Sequence, residues 1–145
     1  GRRETGKHPA IIGLAEVENA KVIEDLLTSK HLEDYNYSYV HYDSLDERGI
    51  DVAMIYDTNA FEVLHSETFT ISLTDEDGEP DYTRDILLVT GFLDGEKVHI
   101  IANHWSSRRE GEKETEHKRL ASSHKVGEII KSAFGLLGID VPERM

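Results

Sequence analysis

VHIIANHWSSRR, residues 98–109, decides how this chain is read. Val98, Ile100, Ile101 and Ala102 form an apolar run, and Asn103, His104, Trp105, Ser106, Ser107, Arg108 and Arg109 follow without a break. The pattern predicts a buried strand whose end emerges into polar residues. A histidine and two arginines at such an end can face a phosphate, because imidazole donates or moves a proton near neutral pH and guanidinium grips phosphate oxygens in a fork. A second stretch has the same shape. IIGLAEVEN, residues 11–19, is a strand that ends in carboxylates, with Glu16 and Glu18 near its end. One strand end offers a metal ligand, and the other a cation and a proton-transfer group.

Between and around these ends the chain alternates short apolar runs with turns. Asn19 is placed to cap a helix over residues 20–30, where Val22, Ile23, Leu26 and Leu27 recur at helical spacing. Residues 36–43 and 50–56 read as strands, the second interrupted by Asp51. A buried carboxylate needs a partner, and Arg84 or Arg48 is the expected one. Residues 61–73 read as a long strand or a bent pair, and the acidic stretch 74–81, TDEDGEPD, as a surface loop. Asp94-Gly95 between the runs 84–93 and 96–103 predicts a tight hairpin. Residues 114–134 form the last helix, with Leu120, Val126, Ile129, Ile130, Ala133 and Phe134 near one face and Gly135 at its end. The result is an α+β chain of mostly antiparallel strands.

The bulk properties bound the function. The chain has 145 residues, enough for one domain with a core. Its net charge is −13, from 16 Lys plus Arg against 29 Asp plus Glu. That repels a phosphate backbone and weighs against avid, non-specific nucleic-acid binding. It does not weigh against phosphoester hydrolysis with a divalent metal, since carboxylates hold the metal. The absence of cysteine excludes disulfides, thiolate zinc sites and a cysteine nucleophile. No apolar run approaches the roughly 20 residues of a membrane helix. The expected protein is soluble, cytoplasmic or secreted with its signal removed. His8, His31, His41, His65, His99, His117 and His124 show no zinc spacing.

Four segments together resemble the endonuclease/exonuclease/phosphatase superfamily, the group that includes pancreatic deoxyribonuclease. GLAEVEN, residues 13–19, looks like the family's metal-holding strand end, with Glu16 in the ligand position. ERGIDVAMIY, residues 47–56, looks like the segment that enters the next strand. TRDILLVTGF, residues 83–92, is similar to a strand that opens with an arginine near the substrate phosphate, here Arg84. IIANHWSSRR, residues 100–109, looks like the strand end carrying one of two catalytic histidines, here His104. The resemblance implies a four-layer α/β-sandwich, two stacked mixed sheets flanked by helices. It also implies a divalent-metal-dependent phosphoesterase using Mg2+ or Mn2+, of nuclease or phosphatase type. Its substrates would be nucleic acid, nucleotide or phospholipid headgroup.

The family's first strand with its asparagine, its Gly-Asp-x-Asn segment and its terminal Ser-Asp-His are not found here. Residues 1–145 are therefore expected to be one partial domain, with very weak activity or none by itself.

On this resemblance Glu16 holds the metal, against the plainer reading of an acid beside a helix start. His104, with Asn103 and Arg84, stabilises the phosphoryl oxygens, and Arg48 and Arg108 contact the substrate. The plainer reading of Arg108 and Arg109 is a solvated charge run. Two rivals are a non-catalytic binding module on the same scaffold and an unrelated acidic interaction domain. The second rival predicts that Glu16, Arg84 and His104 do not cluster.

Overall fold

The computed structural model describes residues 7–45, 49–109 and 111–136. The chain divides into two compact units: Gly1–Thr70 with Arg84–His104, and Ile71–Thr83 with Trp105–Met145.

The first unit is built on two central strands. β3 (Asp51–Asp57) lies between β1 (Ile11–Val17) and β2 (Tyr37–His41), antiparallel to both. β7 (Ile86–Leu93) lies between β4 (Phe61–Phe69) and β8 (Glu96–Ala102), again antiparallel to both. Alternation along β3 sends side chains to two cores. Val52 and Met54 meet Phe61, Leu87 and Val89 of the second sheet, so the sheets stack face to face. Ala53 and Ile55 point the other way, onto Val17 and Ile23. Ile23 belongs to α1 (Ala20–Leu27), which covers the outer face of the first sheet. This explains why β3 reads as an almost continuous apolar run: it is buried on both faces.

Local chemistry sets the connections. Asn19 caps α1, its side chain accepting from Val22 N at 3.1 Å. The turn after β3 is closed by Ala60 N donating to Asp57 O and Asn59 N donating to the Asp57 carboxylate, and it carries the chain from one sheet to the other. Asp94 and Gly95 both have positive φ, as the tight β7–β8 turn requires. Gly91 sits under Phe61, where a Cβ would come within 2.4 Å of the ring and 2.3 Å of the Glu62 carbonyl oxygen.

The second unit holds the hairpin of β5 (Ser72–Thr74) and β6 (Pro80–Tyr82) and the helix α2 (Glu116–Leu136). The Asp75 carboxylate accepts from Asp77 N and Glu79 N and so shapes the hairpin tip. Lys118 of α2 pairs with Asp81 of β6 at 2.7 Å.

Mixed α+β content and antiparallel pairing agree with the sequence. Three expectations need correction. The stretch 74–81 is not wholly a loop, because Pro80 opens a short strand whose partner tolerates the missing N–H. Leu120 is exposed, and the buried positions of α2 among the described side chains are Ser122, Ile129 and Ala133. Every strand pairing among the described residues is antiparallel, where mixed sheets were expected. No described helix is long and apolar enough to cross a membrane.

Candidate active site

Strand direction gathers the site at one end of the first unit. β1 and β8 finish there, while β3 and β7 begin there, because each neighbour runs antiparallel: Val17 pairs with Asp51 and Leu87 with Ala102. Four segments therefore deliver Glu16, Asp51, Arg84 and His104 to one edge of the stacked sheets.

Glu16 is set apart by its backbone. The β1–β3 register shifts between Ala15 and Val17, and Glu16 occupies the bulge with φ of 60°. A non-glycine residue in the left-handed region is strained by about 1–2 kcal/mol, and such bulges re-aim a side chain. Here the carboxylate is turned out of the sheet, 66% exposed, with Oε1 3.9 Å from His104 Nε2. One open carboxylate fits a hard divalent cation that keeps several waters.

His104 is half-buried, and its carbonyl accepts from the Arg84 guanidinium at 3.0 Å. Arg84 is only 5% exposed, so the guanidinium acts on the polypeptide at His104 more than on open solvent. Asn103 is half-buried and closes one end of an apolar cleft between β1 and β8, floored by Val52 and Met54.

Asp51 was expected to pair with Arg84 or Arg48. It is paired, but its Oδ2 meets His41 Nε2 at 3.1 Å, while Oδ1 accepts from Ser44 N at 3.0 Å and from the Ser44 hydroxyl. Arg84 is engaged with His104 instead. Beside it, Asp85 is 8% exposed, and burial pushes its carboxyl up; Thr70 opposes that shift and the charge of Asp51 adds to it.

The structure thus brings together Glu16, His104 and Arg84, with Asn103 next to His104, as the unrelated-acidic-domain reading did not expect. Arg48 lies outside the described residues. Arg108 belongs to the second unit, where it forms an exposed pair with Glu112 at 3.1 Å, in keeping with a solvated charge run. Sequence reasoning missed His41 and Asp43, which lie with Asp51 in a group whose ligand atoms are all within 4.8 Å of one another. The available signal was the His-x-Asp spacing just before the second carboxylate-bearing strand.

The model of the endonuclease/exonuclease/phosphatase family matches residues 3–135. Members of that family are typically hydrolases acting on phosphoesters. No curated protein gives a significant match to the chain.

Proposed function

Since the chain belongs to the endonuclease/exonuclease/phosphatase family, we propose that it serves a divalent-metal-dependent phosphoesterase that cleaves a phosphodiester or phosphomonoester. The observation that carries this reading is the convergence of Glu16, His104 and Arg84 on one edge of the stacked sheets.

Glu16 would hold Mg2+ or Mn2+, since the strained bulge keeps its carboxylate out of the sheet and open to solvent. A metal held there would polarise a phosphoryl oxygen and steady the leaving oxygen. His104 donates from its ring to a phosphoryl oxygen as negative charge builds there, and Asn103 adds an amide donor beside it. Arg84 works through His104: its buried guanidinium fixes the carbonyl and so the place from which the imidazole projects. Water attacks phosphorus in line with the ester oxygen; one P–O bond forms, the ester P–O bond breaks, and the alcohol leaves with a proton. Nucleic acid, nucleotide and phospholipid headgroup all present the required group. No observation at the site favours a purely binding role.

The test is a phosphodiesterase and phosphatase screen of the complete protein with Mg2+ or Mn2+. His104→Ala is expected to lose roughly 100- to 1,000-fold in kcat. Equal activity in wild type and variant removes His104 from the reaction.

A further inference from the structure

A second group of ligating atoms lies at the same end of the first sheet, and none of it belongs to the proposed reaction. His41 ends β2, Asp43 follows two residues later, and Asp51 opens β3. One ligand atom of each lies within 4.8 Å of the other two. The side chains of His41 and Asp51 are 3% and 6% exposed, whereas Asp43 is exposed. The group is thus a buried pair with one open side, which gives an ion a way in.

The orientation of the pair is already fixed. Ser44 occupies Asp51 Oδ1 with its N–H and hydroxyl, which leaves Oδ2 turned to His41 Nε2 at 3.1 Å. The two atoms, hydrogen-bonded here, need to part by only a few tenths of an ångström to reach the roughly 3.3 Å edge of a tetrahedron around an ion at about 2.0–2.1 Å. Outer hydrogen bonds that lock a ligating carboxylate in this way are typical of metal sites.

Among the described residues, Asp51 pairs with no lysine or arginine. A buried carboxylate is costly unless it is paired, and here its partner is an imidazole that can itself ligate.

We propose that His41, Asp43 and Asp51 bind a divalent transition ion of the zinc or manganese type. The imidazole nitrogen selects such an ion over magnesium or calcium, which take oxygen ligands. The ion would tie β2 to β3 directly. The inference is independent of the phosphoesterase reading, since it uses neither Glu16 nor His104.

The test is calorimetric titration of the chelator-stripped protein with zinc chloride, with the unfolding midpoint followed in parallel. Asp43→Asn is the probe, because Asp43 is exposed and the buried pair stays intact; Glu16→Gln is the control. One zinc equivalent should bind and raise the midpoint. Asp43→Asn should weaken binding at least roughly ten-fold, with Glu16→Gln unchanged. No bound zinc, or equal affinity in wild type and Asp43→Asn, overturns the proposal. Loss in Glu16→Gln alone assigns the ion to the phosphoesterase site and overturns it too.

Discussion

Glu16 and Asp51 stand at the same end of the same sheet, with Val17 paired to Asp51, yet they are treated in opposite ways. Glu16 sits in a strained bulge, faces solvent and, among the described residues, has a long contact with His104 alone. Asp51 sits on regular strand backbone, is buried and has both oxygens engaged. The end of a sheet supplies positions; the backbone at each position decides whether a carboxylate is offered outward or used to hold the chain. An outward carboxylate suits an ion that keeps its water, and an enclosed one beside an imidazole suits an ion that sheds it.

Substitutions can break that contrast. Glu16→Gln should reduce the metal-dependent activity of the complete protein by roughly 100-fold or more while the unfolding midpoint stays in place. A matching fall in stability would put Glu16 on the structural side with Asp51. Asp51→Ala should lower unfolding free energy by about 2–3 kcal/mol in urea titrations, since His41 and Ser44 lose a buried partner. A change within error would make the pair dispensable. Gly91→Ala, away from both carboxylates, should lower stability by about 2 kcal/mol through collision with Phe61 and the Glu62 carbonyl. This sets the scale of a purely steric defect.

Two smaller effects sharpen the picture. Glu16→Gly should raise stability by about 1 kcal/mol as the strain at positive φ is relieved, while activity is lost. Stability and activity falling together would show that the bulge is unstrained. At the opposite end of β3, hydrogen bonds from His8 and Asn59 hold the Asp57 carboxyl below its ordinary value of 3.8. A depressed carboxyl stabilises the fold above its unfolded-state value, and that contribution disappears as pH falls through the folded one. The stability difference between wild type and Asp57→Asn should therefore shrink on acidification below about pH 4, as read by denaturation at several pH values. A constant difference would remove the His8 and Asn59 contacts as its source.

Periodicity and turn chemistry made much of the fold legible. β1 matches its expected span, 11–17, because an apolar run is bounded by Pro9 and the Asn19 cap. The Asp94-Gly95 hairpin follows from the demand for positive φ at both residues. Glu16 and His104 were legible as strand ends. Partner choice was not. Spacing shows that Asp51 is buried, but the choice of His41 over Arg84 depends on which strands lie side by side, and the β1-β3-β2 order is invisible in one sequence. The bulge at Glu16 was hidden for a related reason. It adds one residue to one side of a ladder whose other side lies about 35 positions downstream.

The second unit is assembled from two pieces that the first unit separates. Its hairpin leaves the ribosome early, and the helix that carries the Lys118 partner of Asp81 emerges only after β7 and β8 have been made. At about 5–20 residues per second, the hairpin waits a few seconds for its partner. During that interval the strands around it can already stack into their own core. The chain thus has a built-in order of assembly: stacked sheets first, and the acidic hairpin clasped by its helix last.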